Sequence, residues 1–192
     1  LNIAQAVNYQ NAGTVEFLVE GTDIYFIEVN PRIQVEHTVT EMITGIDLVR
    51  AQILVASGLK LSDQKIGIIN QSQISRQGFA IQCRITTEDP QNDFKPDYGK
   101  VIHYRNASGF GIRLDEGNIY NGAVVSPFFD SMLVKISAWG LSFEDACARM
   151  DRAMREIRVR GVKTNVQFLE NVMRHQEFVS GQSTVHFIKN HP

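Results

Sequence analysis

Cysteine is scarce in this 192-residue chain, which carries two, Cys83 and Cys147. Both lie in apolar patterns without metal-type spacing, which argues against a disulfide framework and for buried thiols in a reducing compartment. The five histidines form no HxxxH pair and no Cys/His cluster along the sequence, so spacing predicts no zinc site. No apolar run approaches the roughly 18 residues that a membrane span needs, so no membrane partner is expected. Charge of one sign is also missing. Nineteen Lys and Arg face 21 Asp and Glu, a formal net charge of −2, and without a basic field nucleic acid is not the expected partner. There is no internal repeat, low-complexity segment or signal peptide. The chain opens on Leu1, as a truncated start would, so a missing targeting sequence carries no weight. What is present, 43% hydrophobic and 21% charged residues, suffices for a soluble globular chain of one domain or a little more.

The most informative stretch is 14–37, TVEFLVEGTDIYFIEVNPRIQVEH. Residues 14–20 and 24–30 are rich in Val, Phe, Ile and Tyr, and Gly21-Thr22-Asp23 supplies a turn, so the stretch predicts a β-hairpin. A three-residue loop pairs residues whose numbers add to about 44, which sets Glu16 opposite Glu28 with Asn30 on the same face. Like charges directly opposite repel, so a positive partner is expected between them. Two carboxylates and a carboxamide suit a hard cation such as Mg²⁺. Beyond them Arg32, Gln34 and Glu36 alternate with Ile33 and Val35, and an extended chain would continue the same polar face. A guanidinium fork can hold a planar oxyanion, and a carboxylate nearby can take a proton from it. Any one of these pairs alone reads as solvated surface. Five polar groups at period two on one face favour a site.

The remainder predicts a break at Gly45 and Asp47 between a short helix and a longer one ending at Gly58. Residues 79–85 alternate as a strand, which displays Arg84 on the polar side. Short strands follow at 100–104, 110–114, 119–120 and 132–138, the pattern of an antiparallel sheet or small barrel. Residues 142–159 form the clearest helix, with Ser142 and Asp145 spaced as a capping pair and Gly161 as its stop. A second helix starts at Thr164 or Asn165. Leu18 and Val185 read as core. Ser108-Gly109-Phe110-Gly111 lacks the following helix of a phosphate loop, so no nucleotide is assigned there.

The segments FIEVNPRIQVEHTVTEMITGIDLV, GFAIQCRITTEDP, SGFGIRLD, VSPFFDSMLVK and RGVKTNVQFL resemble the biotin carboxylase component of the biotin-dependent carboxylases, an ATP-grasp family. Thr86-Thr87 before Glu88-Asp89-Pro90, with IRVRGVKTNVQFLENVM, is most similar to the pyruvate carboxylase branch. The implied fold is α+β. Residues 1–58 would be the end of an ATP-grasp domain (β-hairpin plus helices), and 59–192 the biotin carboxylase C-terminal antiparallel-sheet/helix domain.

The resemblance implies Mg²⁺ or Mn²⁺ on Glu16, Glu28 and Asn30, and bicarbonate on Arg32, Gln34 and the Val35 backbone. Glu36 would be its base, and Arg84 would stabilise the enolate of biotin. ATP would contact Glu28 and the pair Leu18 and Val185, Phe110 and Arg113 would lie at a dimer contact, and Asp130 near the site. It also implies a biotin carrier domain, a homo-oligomeric full-length enzyme, and a cytoplasmic location or a mitochondrial-matrix one in a eukaryote. The lid glycines and ATP lysines would lie upstream of Leu1, so the isolated polypeptide is expected to be nearly inactive. An acyl-CoA carboxylase, a carbamoyl-phosphate-type ligase and a non-catalytic assembly module stay open as alternatives.

Overall fold

The computed structural model describes residues 1–191. The chain divides into two compact units, Leu1–Arg76 and a second beginning at Gln77.

In the first unit a short helix α1 (Asn2–Ala6) precedes strands β1 (Thr14–Glu20) and β2 (Asp23–Asn30). These pair antiparallel around Gly21-Thr22, a turn one residue shorter than predicted. Helix α2 (His37–Thr44) ends on Gly45 at φ 70°, a left-handed backbone that glycine adopts without the Cβ clash. Helix α3 (Leu48–Ala56) starts at Asp47, whose carboxylate accepts from Arg50 N at 2.8 Å. The predicted break between two helices is therefore present, with both capping residues in the expected roles. The buried Glu41 carboxylate accepts from Leu48 N at 2.6 Å and joins the two helices. The hairpin keeps much of its apolar side-chain surface exposed, including Phe17, Val19, Ile24, Tyr25 and Phe26.

The second unit is built on a three-stranded antiparallel sheet in which Met132–Gly140 lies between Phe79–Thr86 and Ile112–Glu116. Strand β3 (Phe79–Thr86) buries Ile81, Cys83 and Ile85 on one side, as its alternation predicts. Four short strands follow: β4 (Glu88–Asp89) pairs β5 (Lys95–Pro96), and β6 (Gly99–Lys100) pairs β9 (Val124–Val125). Strand β7 (His103–Arg105) precedes β8 (Ile112–Glu116), and β10 (Met132–Gly140) runs through the centre. Helix α4 (Phe143–Glu156) covers the sheet with Ala146, Cys147, Met150, Ala153 and Met154, all buried. Each fully buried large side chain there contributes about 1.5–3 kcal/mol of transfer free energy. A Cβ on Gly140 would lie 2.5 Å from Ala146 N, so β10 approaches α4 this closely only with glycine there.

Three local predictions change. The strand predicted at 100–104 divides into β6 and β7, which pair with different partners. Helix α4 stops at Glu156, and Arg158–Arg160 form β11 against β7, because the β-branched Val159 and its neighbours complete a ladder. Residues 119–120 are not a strand; Ile119 is buried from a loop. Helix α5 (Val166–Arg174) follows, then the short α6 (Gln176–Val179) and α7 (Phe187–Asn190). Among the described residues, no helix is long and apolar enough to cross a membrane.

Candidate functional site

Glu16 and Glu28 are register partners across the hairpin. The route to that pairing differs from the predicted one. From the turn to Phe17 the pairs run Glu20–Asp23, Val19–Ile24, Leu18–Tyr25 and Phe17–Phe26, and the register then shifts between Glu16 and Phe17. A β-bulge adds one residue to one strand. Without it the short turn would set Val15, not Glu16, opposite Glu28. The bulge thus brings the two carboxylates together.

Asn30 lies between them. Its Nδ2 donates to Glu16 Oε1 at 2.8 Å and to Glu28 Oε1 at 3.1 Å. Gln34 Nε2 donates to the same Glu16 oxygen at 2.8 Å. These neutral amide N–H groups relieve the repulsion between the carboxylates. Gln34 Oε1 is buried without a hydrogen-bond partner. With the amide turned round its oxygen would face Glu16, so the orientation with Nε2 toward the carboxylate is the favourable one.

The run 32–36 is not the predicted extended continuation. Pro31 has no N–H to carry the ladder on, and Arg32 N closes a tight turn onto Asn30 O at 2.8 Å. Residues 35–36 then turn into α2, with His37 N donating to Gln34 O at 3.2 Å and Glu36 at the N-cap position. Period-two spacing therefore does not govern these side chains. Gln34 joins the carboxylate cluster. The exposed Arg32 donates from Nη1 to Ile33 O at 3.2 Å. Glu36 stands exposed at the N-cap of α2, where the helix dipole favours a carboxylate.

In the second unit Arg84 is exposed on β3, paired with Lys135 of β10, which pairs in turn with Asp115 of β8. Arg113 holds Asp115 through two bonds of 2.8 Å. Sequence reasoning missed Asn165, which is buried and clamps the end of β3. Its Nδ2 donates to Arg84 O at 2.9 Å, its Oδ1 accepts from Thr86 N at 3.0 Å, and its own N–H donates to Thr86 O at 3.2 Å. A polar residue at a helix start next to a strand end was the available signal.

Phe110 is 80% exposed and meets Trp139 edge to face at 6.1 Å, with the Arg149 guanidinium 5.1 Å from its ring centre. Asp130 is exposed and accepts from Met132 N at 2.8 Å. Leu18 and Val185 are not core residues: they are 49% and 83% exposed, each within its own unit. Short apolar strings at a hairpin and at a chain end look like core from composition alone. Burial pushes the Cys83 thiol up to about 12, helped by Cys147, so it stays a neutral core group and no nucleophile.

Residues 82–190 match the family described as the biotin carboxylase C-terminal domain. The chain belongs to the biotin carboxylase family. Residues 1–64 match the ATP binding domain of the carbamoyl-phosphate synthase L chain. Among curated relatives, the pyruvate carboxylase of Bacillus subtilis is 58% identical over 190 residues, 99% of this chain and 17% of that protein. A solved structure of Rhizobium etli pyruvate carboxylase with the allosteric activator acetyl coenzyme-A superposes with a TM-score of 0.95. It is 52% identical and covers 99% of this chain and 19% of that one. The biotin carboxylase domain dimer of Hydrogenobacter thermophilus 2-oxoglutarate carboxylase, in complex with MgADP, ADP and bicarbonate, gives a TM-score of 0.93 at 39% identity. There the coverage is 98% of this chain and 40% of that one. This biotin carboxylase chain thus spans about a sixth of the length of the curated pyruvate carboxylases it matches.

Proposed function

We propose that this chain forms part of the biotin carboxylase centre of a pyruvate carboxylase. The whole enzyme would use ATP and bicarbonate to carboxylate biotin on a carrier domain, then pass the carboxyl group to pyruvate and give oxaloacetate. The observation that carries this reading is the linked set Glu16, Glu28, Asn30 and Gln34 across the bulge. Two carboxylates and a carboxamide fit the oxygen shell of Mg²⁺ or Mn²⁺, with Glu16, Glu28 and Asn30 as its holders once Asn30 turns its amide to present Oδ1 in place of the Nδ2 that bonds both carboxylates. A cation bound there would neutralise the phosphate oxygens of ATP as the terminal phosphoryl group departs.

Arg32, Gln34 and the Val35 N–H hold bicarbonate, and Glu36 takes its proton. The bicarbonate oxygen then bonds to the terminal phosphorus as ADP leaves, giving carboxyphosphate. That species breaks into CO₂ and phosphate, and the phosphate oxygen takes the biotin N–H proton. Arg84 holds the negative charge that develops on the ureido oxygen. Its exposure, and the clamp that Asn165 places on its backbone, support that role. Leu18 and Val185 flank adenine, with Glu28 also facing ATP, and Asp130 lies near the site. Phe110 and Arg113 contribute to a dimer contact. We assign 1–58 to the ATP-grasp domain and 59–192 to the C-terminal domain.

The test is kinetic and uses the complete enzyme. Glu36→Gln should lower kcat for bicarbonate-dependent ATP cleavage by about 10²–10⁴ with little change in the KM for ATP. Glu28→Gln should raise the Mg²⁺ concentration needed for half-maximal rate. A large rise in the KM for ATP with unchanged kcat in Glu36→Gln would refute the base assignment. Cleavage indifferent to biotin would favour a synthetase of the carbamoyl-phosphate type.

A further inference from the structure

The C-terminal elements bring together three potential ligands that are scattered in sequence. His175 sits between α5 and α6, Glu177 lies in the first turn of α6, and His191 follows α7. One ligand atom from each falls within 4.8 Å of the others. His191 Nε2 lies 2.8 Å from Glu177 Oε2, and the two imidazole ring centres are 4.2 Å apart. His175 Nδ1 is buried with no hydrogen-bond partner. Phe187 packs against both rings, each at 5.0 Å, and fixes their planes. Both histidines line a cavity of about 540 Å³.

The geometry points to a transition-metal site of two imidazoles and one carboxylate, separate from the carboxylates of the hairpin. Two nitrogens and one oxygen select Zn²⁺, Ni²⁺ or Co²⁺ over Mg²⁺, because imidazole is a borderline donor that hard cations bind poorly. Tetrahedral bonds of about 2.0–2.1 Å put ligand atoms about 3.3 Å apart. The His191–Glu177 edge is a hydrogen bond shorter than that and opens when the cation displaces its proton, while rotation of His175 about its side-chain bonds brings its nitrogen in. The carboxylate offsets half of the cation's charge. Three protein ligands leave a fourth position for water. Residues 175 and 191 are sixteen apart, a spacing that no local motif search reads as a metal pair.

The 192-residue chain, freed of metal with chelator, is titrated with Zn²⁺ and separately with Co²⁺, Mg²⁺ serving as control. The expected result is one equivalent of Zn²⁺ bound with a raised melting temperature, and a visible absorption band in the Co²⁺ form. His175→Gln and His191→Gln should each weaken Zn²⁺ binding at least tenfold, and Glu177→Gln should weaken it less. His103→Ala, on β7, should leave binding unchanged. Because His191 is partly exposed, His191→Gln should melt like the unsubstituted chain without metal, which separates lost binding from lost folding. Equal Zn²⁺ affinity in the unsubstituted chain and the two histidine variants, or no affinity above that for Mg²⁺, would overturn the assignment.

Discussion

Replacing Asn165 with Ala removes two side-chain bonds at a residue only 8% exposed: Nδ2 to Arg84 O at 2.9 Å and Thr86 N to Oδ1 at 3.0 Å. Each such bond contributes about 1 kcal/mol net, and a polar group left unpaired in a part-buried place costs about 1–3 kcal/mol more. Retained water access at the strand end lowers the second figure, so a total loss of about 2–4 kcal/mol is expected. With a urea m-value of about 2 kcal/mol/M for a unit of this size, the midpoint should fall by about 1–2 M. The single tryptophan, Trp139, lies on β10 of the same unit, so its fluorescence reports that unit's unfolding without contribution from the hairpin. Gln167→Ala, exposed on the same helix, controls for helix propensity and should stay within about 0.5 kcal/mol. If Asn165→Ala shifts the midpoint no more than Gln167→Ala does, the clamp does not hold the end of β3 and the account of how the Arg84 backbone is fixed fails.

The buried thiols set an alkaline limit. Cys83 is held up at about 12, first by burial and then by Cys147, whereas an unfolded thiol ionises near about 8.5. As pH rises past that value the unfolded chain releases its proton first. Stability should therefore fall by about 1.4 kcal/mol per pH unit toward the folded value. Urea midpoints between pH 7 and 10 should show a shallower decline in Cys83→Ala than in the unsubstituted chain, whatever the variant's baseline; parallel declines would rule Cys83 out as the cause. Ser142→Ala removes the hydroxyl that accepts from Asp145 N at 3.0 Å and should cost about 1 kcal/mol by the same fluorescence assay. Asp145→Ala should cost less, since its reciprocal bond from Ser142 N is long at 3.4 Å.

Much of the fold is legible because its signals are local. Gly45 and Asp47 mark a stop and a start that backbone conformation and one side-chain bond then realise. Ser142 and Asp145 form the full capping box although Asp is the shorter partner. The alternation of β3 gives its buried face directly. What sequence misses depends on other parts of the chain. Arg158–Arg160 leave the helical pattern because β7 offers a ladder. Pro31 ends a strand whose polar spacing in the sequence continues through Glu36. The pairing of Glu16 with Glu28 is predictable in outcome but not in cause. A three-residue loop and a two-residue loop followed by a bulge give the same partners there, and different ones everywhere nearer the tip. His175 and His191 meet only because α6 and α7 fold back.

That irregularity splits one ribbon into two segments with independent bookkeeping of partners. Strain or sequence drift at the outer end can be absorbed at the kink, while the inner end keeps its acidic residues aligned. Such a ribbon could tolerate variation where it meets its surroundings and still present an unchanged set of oxygens at its base.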